Sequence, residues 1–425
     1  MLGGGTFITQ NKILSGAYIN FVSASKASAT ISDRGVCAMP LELDWGVDGE
    51  VFEVTADVLQ KQSLAYFGYS YDKEELRPLR EIFKNAKTLY AYRLNSGVKA
   101  SCTYGTAKYS GVRGNALAVK IATNVDDEAK FDVSTILDGE VLETQTVASA
   151  IELVDNAFIV FKKDATLQAT ASTPLTGGTN GTVTGTQHQA FLNAIESYSF
   201  NILGVATDDA SINALYASFT KRMRDDVGVK FQTVLYRTEA DYEGIISVEN
   251  CVDAIYWVVG AECGCAVNKS CLNKKYDGEY VIPCEHTQAQ LEKLIKGGKF
   301  AFHKVGTEIR VLADINTLVS TSDTKGDDFK ENQTMRVLDN LGNDIATLFN
   351  TKYLGVVPND ADGRVSLWND IVKIFEQLQT IRAIEDFTNQ DVTVEKGDTK
   401  KSVIANIKVT PVNVMGQLYM TINVM

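Results

Sequence analysis

The C-terminal end of this chain constrains its fold more than any other stretch. Across 417–425, Leu418, Met420, Ile422 and Val424 alternate with Gln417, Tyr419, Thr421 and Asn423, the period-two signature of a half-buried strand. Chain ends are ordinarily polar and frayed, whereas a strand needs a sheet to join. That sheet belongs either to the same chain or, by strand addition, to a neighbouring copy. The second arrangement makes a polymer-forming structural protein. Residues 1–22 read in a similar way, as an extended arm with Gly3, Gly4 and Gly5 and alternating apolar positions without a helical period.

At 425 residues the chain exceeds one ordinary core, and two to four domains are expected. Apolar residues make up 45% and charged residues 22%, which argues for a folded chain throughout. The 41 Lys and Arg against 53 Asp and Glu leave a net charge of −12, opposite to what phosphate contacts require. Direct nucleic-acid binding is therefore not expected. The N-terminus lacks a basic segment followed by an apolar core, so no secretory signal is expected. The most apolar stretch, 254–267, is too short for a bilayer and contains Glu262, so no membrane insertion is expected. Seven cysteines, with Cys37, Cys102 and Cys251 scattered, point to a reducing compartment rather than a disulfide framework.

The texture changes twice along the chain. Residues 27–40 read as a strand, a turn and a buried strand, 74–83 as a helix and 88–94 as a strand. From 98 to 185, Thr- and Val-rich alternating runs (116–123, 130–137, 158–161, 167–171) and the Asp138-Gly139 turn read as a separate β-sandwich or barrel. It closes in the loop-rich 174–181. Helices and strands then alternate as an α/β layer domain: helix 187–195, strand 201–206, helix 212–226, strand 231–236, strand 245–248 and an apolar helix from 252 to about 269. Residues 298–305 and 308–315 read as a β-hairpin turning at Gly306-Thr307. Helices follow at 334–349 and 365–384, the second with Leu367, Ile371, Ile374, Phe375, Leu378 and Ile381 on one face. Strands are expected at 392–396 and 403–409. No internal repeat of fixed period is present.

Five features invite a chemical reading. Cys263, Cys265, Cys271 and Cys284, with His286, place soft ligands close together, but the C-x-C-x5-C-x12-C-x-H spacing lacks a C-x2-C knuckle. On a helix continuing through Cys265, the first two cysteines point roughly 200° apart. Packed thiols are the favoured reading, with a zinc-stabilised binding module as an alternative. The three histidines, His188, His286 and His303, have no G-x-S-x-G companion, which leaves a hydrolase on the α/β domain as a second alternative without a visible nucleophile. Gly3-Gly4-Gly5-Thr6 and Gly177-Gly178 lack the Gly-Lys-Ser/Thr ending of a phosphate loop. The pairs Asp126-Asp127, Asp208-Asp209, Asp225-Asp226 and Asp327-Asp328 read as solvated turns or helix ends. The run Lys221-Arg222-Met223-Arg224 suits the end of a helix, where cations complement the macrodipole. No catalytic, cofactor-binding or metal residues are assigned.

Several segments in one order carry a resemblance: Gly3-Gly4-Gly5-Thr6-Phe7 with 14–21, Leu175-Thr176-Gly177-Gly178-Thr179-Asn180-Gly181, Asn268-Lys269-Ser270, and Lys275-Tyr276-Asp277-Gly278-Glu279-Tyr280. Together they resemble the tail sheath proteins of contractile phages, particularly those of clostridial phages and phage-tail-like bacteriocins. Four positions depart from the family's form: Ser15 stands where Pro is common, and Cys263, Cys265 and Cys271 stand where small or aliphatic residues are expected.

The resemblance implies a non-enzymatic mechanical subunit of a virion tail or tail-like particle, assembled in the bacterial host cytoplasm. Such subunits stack as hexameric rings around an inner tube and contract to drive it through a cell envelope. Implied partners are neighbouring sheath subunits through both terminal arms, the inner tail tube protein, and baseplate and tail terminator proteins. The implied fold class is α/β plus all-β and multidomain: an α/β layer core, an inserted β-sandwich-like domain, and a C-terminal α+β segment with exchanged terminal strands. The implied parts are a linking arm at 1–22, a first core part at 23–97, an outward β-domain at 98–185, an α/β core at 186–332 likened in this family to subtilisin, an inner domain at 333–402 with its 365–384 helix as a candidate tube contact, and a strand arm at 403–425.

Overall fold

A computed structural model describes residues 32–424. The arm at 1–22 and the first strand expected after Ala27 lie outside the described residues. Two compact units are present, one formed by 33–339 with 411–424 and the other by Ser32 with Asn340–Thr410.

The larger unit begins with β1 (Val36–Leu41), β2 (Val51–Thr55), α1 (Ala56–Phe67), α2 (Arg77–Phe83) and β3 (Thr88–Arg93). The sequence reading passes over β2 and α1. Only Leu59, Ser63 and Phe67 of α1 are buried, a narrow i, i+4, i+8 stripe containing a serine, so its helical period is faint. Its ends are nevertheless well marked, by Thr55 accepting from the Val58 amide at 3.3 Å and by Gly68 at φ 77°.

An all-β insertion follows, comprising β4 (Gly105–Ala107), β5 (Leu117–Thr123), β6 (Phe131–Leu137), β7 (Glu140–Val147), β8 (Ile159–Phe161) and β9 (Thr170–Pro174). An antiparallel sheet runs β7-β6-β5-β9, and β4 pairs with β8. Leu117, Val119 and Ile121 of β5 alternate into a core with Val133, Leu137, Ile159 and Phe161. The Asp138-Gly139 turn is present, with φ of 53° and 87°, as a tight β6–β7 hairpin requires. β7 escaped the reading because most of its residues are exposed and polar on both faces.

The chain then forms α3 (Gly185–Ile195), β10 (Ile202–Gly204), α4 (Ala210–Lys221), β11 (Gln232–Tyr236), β12 (Ile245–Val248), α5 (Ala254–Gly264), α6 (Gln288–Lys296), β13 (Lys299–Phe300), β14 (Phe302–Val305) and β15 (Glu308–Val311). While β14 and β15 pair separately as a hairpin, strands β10 to β13 and the first three build one seven-stranded sheet in the order β13-β12-β11-β10-β1-β3-β2. All of its neighbours are parallel except β2 against β3. Alternate residues feed opposite faces: Cys37, Met39, Ile202, Val234 and Ile246 pack with α1, α2 and α5, while Ala38, Leu203, Leu235 and Ile245 pack with α3 and α4. Apart from Glu262, helix α5 is apolar all round, and it is almost wholly buried, as a helix in the middle of a layer must be. A Cβ on Gly260 would collide with the Ile82 carbonyl, so this glycine permits the close approach of α5 to α2. The strand expected over 298–305 divides at Ala301: Lys299–Phe300 joins β12, and only Phe302–Val305 pairs with β15.

The smaller unit takes up α7 (Asn332–Leu348) from Asn340 onward, then α8 (Ala361–Thr380) and an antiparallel hairpin of Val392–Lys396 with Val403–Ile407. Leu367, Ile371, Ile374, Phe375 and Leu378 of α8 form its buried side, and Trp368 Nε1 donates to the Val392 carbonyl at 2.9 Å. Thus Val403–Ile407, expected within a strand arm, pairs inside the chain.

The two crossings between the α/β layers and the insertion lie side by side. The Val98 amide donates to Thr179 O at 3.0 Å and the Gly181 amide to Asn95 O at 2.9 Å. Asp44 accepts from Asn180 Nδ2 at 2.7 Å and from Tyr69 OH at 2.9 Å. Buried Arg93 donates to Ser110 O at 2.8 Å. A Cβ on Gly181 would run into the Ser96 carbonyl, whereas one on Gly326 meets nothing within 4 Å. Gly181→Ala is therefore expected to lower the unfolding free energy by about 1–3 kcal/mol, and Gly326→Ala to change it by less than about 0.5 kcal/mol, both read by urea denaturation.

Candidate functional site

The tempting cysteines do not converge. Helix α5 stops at Gly264, and Cys265 is extended at φ −67°, ψ 124°, so the premise of a helix running through it fails. Cys263 is fully buried beside Cys37 and donates to Gly260 O at 3.4 Å. Cys265 instead faces Cys271. Cys284 and His286 lie apart with Asn250, whose Nδ2 is 3.9 Å from Cys284 Sγ and 3.5 Å from His286 Nε2.

Among the described residues, the group with metal-ligand spacing is Glu262, Cys271 and Asp314, whose ligand atoms lie within 4.8 Å of one another. The sequence analysis named only Cys271 of these. A guanidinium already fills the cation's place. Arg336 on α7 is wholly buried and its Nη2 donates to Asp314 Oδ2 at 2.9 Å and to Glu262 Oε2 at 3.0 Å. Arg34 approaches the same site from β1's leading edge, donating through Nε to Cys265 O at 3.0 Å and through Nη2 to Glu262 O at 3.2 Å. Asp314 also accepts from Ser270 Oγ and the Cys271 amide, both at 2.8 Å, and from Asn332 Nδ2 at 2.9 Å.

Burial, reinforced by the charge of Asp314, pushes the Glu262 carboxyl well above its ordinary range. Burial opposes ionisation of Asp314 too, but Arg336 and the donors around it prevail and hold that carboxyl low. The proton therefore sits on Glu262 and the negative charge on Asp314. The centre is an internal ionic clamp and does not fit a divalent ion, which would meet the Arg336 charge.

Most of the remaining candidates have local hydrogen-bond or ion-pair partners. His188 is buried, its Nδ1 3.0 Å from Tyr216 OH, and burial pushes its pKa down. His303 lies on β14, also shifted down by burial. Asp209 caps α4 through the Ser211 amide at 2.7 Å. Asp127 and Asp327 pair with Lys130 and Lys330, and Asp225 accepts from Tyr242 OH at 2.8 Å. In the basic run, Arg222 pairs with Glu196 at 2.6 Å, and buried Arg224 pairs with Asp339 at 2.5 Å.

The terminal segment is a different kind of site. Gln333 at the start of α7 clasps it, donating to Val412 O at 2.9 Å and accepting from the Val414 amide at 3.0 Å. Beyond Gly416 no strand forms and the alternating residues lie in solvent, with Leu418 85%, Ile422 71% and Val424 93% exposed.

Four family profiles cover nearly the whole chain in order: tail sheath protein Gp18 domain III N-terminal region at 34–94, phage tail sheath protein beta-sandwich domain at 95–180, phage tail sheath protein central domain at 181–317 and phage tail sheath C-terminal domain at 324–425. The chain belongs to the phage tail sheath family. A sheath tail protein of Desulfitobacterium hafniense is 36% identical, with a TM-score of 0.83 over 95% of this chain and 99% of that one. A sheath tail protein of Listeria innocua is 30% identical, with a TM-score of 0.80 over 90% and 93%. The phage-like element PBSX protein XkdK of Bacillus subtilis is 31% identical over the full length of both chains. The helical sheath of the anti-feeding prophage in its contracted state shares the fold at 12% identity, with a TM-score of 0.57. A tail sheath protein is a structural protein, and the motifs carrying the resemblance accordingly do packing work. The 175–181 segment forms the crossing at Gly181, and in 275–280 Tyr276 OH donates to Glu81 at 3.0 Å while Glu279 pairs with Arg80 at 2.7 Å, tying the segment to α2.

Removing the clamp's cation leaves two buried carboxyls without compensation. Arg336→Met is expected to cost about 3–5 kcal/mol in denaturant unfolding. Glu262→Gln, which keeps a neutral side chain, is expected to cost much less near neutrality. Because the Glu262 pKa is raised in the fold, its stabilising contribution is full below about pH 4.5 and declines as pH rises. The stability of wild type relative to Glu262→Gln should therefore fall above that pH, by up to about 1.4 kcal/mol per pH unit.

Proposed function

We propose that this sheath subunit polymerises as stacked hexameric rings around an inner tail tube, and that contraction of the polymer drives the tube through a target cell envelope. The observation that carries this reading is the segment after Gly416, an alternating apolar strand sequence left exposed after Gln333 has clasped the residues before it. A neighbouring subunit's sheet supplies what such a strand lacks, namely main-chain partners and a surface for Leu418, Met420, Ile422 and Val424. Support also comes from fold likeness to the contracted anti-feeding prophage sheath and to the contracted sheath of an extracellular contractile injection system, at TM-scores of 0.57 and 0.56.

In this reading the arms at 1–22 and the C-terminal end join sheath subunits to one another, and the ends of the polymer meet baseplate and tail terminator proteins. Likeness to a chain in the anti-feeding prophage baseplate, at a TM-score of 0.55, supports the baseplate contact. The particle is a virion tail or tail-like particle assembled in the bacterial cytoplasm, with the β-domain directed outward. Helix α8 meets the tube, through its polar side: its apolar side is already buried, while Asp362, Asn369, Lys373 and Glu376 are exposed. No described helix is long and apolar enough to cross a membrane.

Deleting 417–425 is expected to leave the thermal unfolding of the subunit unchanged but weaken subunit association more than about 100-fold, since each lost main-chain hydrogen bond removes about 0.5–1.5 kcal/mol. Negative-stain microscopy and sedimentation of the concentrated protein measure this. Striated tubes formed equally well by the truncated chain would sink the donated-strand reading. Lys373→Glu is expected to reduce co-sedimentation with tube protein while sheath self-assembly persists, and unchanged tube binding would remove α8 from that contact.

A further inference from the structure

Two thiols remain after the ionic clamp has been explained. Cys265 follows the last turn of α5 and is half-buried; Cys271 is fully buried at the end of the next loop. Their side chains are hydrogen-bonded to each other. Cys271 also lies 3.6 Å from Ala261 O, and its backbone amide is held by Asp314. The Cys265 carbonyl is held by Arg34. The backbone of each cysteine is thus held by a buried charge, Arg34 for Cys265 and Asp314 for Cys271.

We propose that Cys265 and Cys271 form a peroxide-reactive dithiol, in which Cys265 is the attacking sulfur and Cys271 the resolving one. The Cys265 thiolate attacks one peroxide oxygen; the O–O bond breaks, and the departing hydroxide takes a proton to leave as water. Cys265 is then a sulfenic acid. The Cys271 sulfur attacks it, the S–S bond forms as the S–O bond breaks, and hydroxide leaves with the Cys271 proton as a second water. Two thiols lose two electrons in total, and one hydrogen peroxide is reduced to two waters.

The surroundings favour this division of roles. The Cys271 hydrogen bond, working against burial and helped by Arg336 and Arg34, pulls the Cys265 thiol down and favours its thiolate. The same bond and complete burial push Cys271 up, keeping it protonated until it resolves. The neighbouring Cys37–Cys263 contact lacks both requirements: both residues are fully buried, and Cys37 is pushed up by burial. Burial likewise raises Cys251 and Cys284. The disulfide would close the 266–270 loop, whose Lys269 carbonyl accepts from Arg336 at 3.3 Å and whose Ser270 donates to Asp314.

The test uses the full chain, reduced and then exposed to equimolar hydrogen peroxide, with remaining thiols alkylated before intact-mass measurement and tryptic mapping. Trypsin cuts after Lys269, so the bridge holds the peptide ending at Lys269 to the 270–274 peptide. Wild type is expected to lose two hydrogens and to yield that tethered pair, with fragmentation placing the link at Cys265. Cys265→Ser is expected to slow thiol loss by at least about tenfold, while Cys263→Ser reacts as wild type does. Wild-type thiols surviving the peroxide, or a link mapped to Cys263 or Cys251, would overturn the proposal. So would tethering in Cys265→Ser at the wild-type rate. The fragment assignment in wild type decides the question even if the serine variant does not fold.

Discussion

One buried guanidinium organises the larger unit. Arg336 contacts Glu262 on α5, Asp314 beyond β15 and the carbonyl of Lys269 in the loop between them, so three segments distant in sequence meet on a single planar group. A lysine would offer one point charge where this geometry uses a planar fork. The charges balance because Glu262 holds its proton while Asp314 gives up its own. Asp314 in turn orders the Ser270–Cys271 turn and Asn332, and Asn332 accepts from Gln232 of β11 at 3.0 Å. The clamp therefore carries order from the parallel sheet to the first turn of α7. A second buried ion pair, Arg224 with Asp339, holds α7 further along. Buried pairs of this kind add little net stability compared with an apolar core, but their disruption is expensive. They specify where α7 lies.

The same start of α7 supplies Gln333, whose amide reads both the donor and the acceptor of the 412–414 backbone. The clamp thus lies one helical turn from the residue that holds the terminal segment. In a protein whose proposed task is to share its ends with neighbours, that turn is a firm anchor for the arm. The family's recurrent motifs serve comparable ends. In the Gly177–Gly181 stretch, Gly178 and Gly181 allow close backbone crossings, while the Tyr276–Tyr280 stretch reaches α2 through the Tyr276 hydroxyl and the Glu279 carboxylate.

Much of the fold was legible from periodicity. The buried strands β1, β3, β10, β11 and β12, helices α3 and α4, and the Asp138-Gly139 hairpin all have strong local signals: apolar runs, 3.6-residue spacing, or a turn that demands positive φ. Elements with weak local signals were lost, as β2, α1 and β7 show, because their burial involves a few positions or one edge. The division at Ala301 was invisible for another reason. Alternation specifies a strand but not its partner, and Phe302 leaves β12's edge to pack 5.5 Å from Trp257 and 5.6 Å from Tyr276. The candidate chemistry was less legible. Cysteine spacing was read along a helix that in fact stops at Gly264, and it could not pair Cys265 with Cys271 or find Arg336, because none of these contacts repeats with a period.

The amino-acid sequence by itself determined the succession of textures, the acidic surface, and an end whose alternating side chains require a sheet. These are properties of neighbouring residues, and neighbours carry them. Only the tertiary structure decided that Glu262 and Arg336, 74 residues apart, would meet in a buried charge balance with Asp314, and that the terminal residues find no strand partner within the described chain. Both are consequences of which surfaces meet, and in a low-dielectric interior it is the meeting that decides which charges survive.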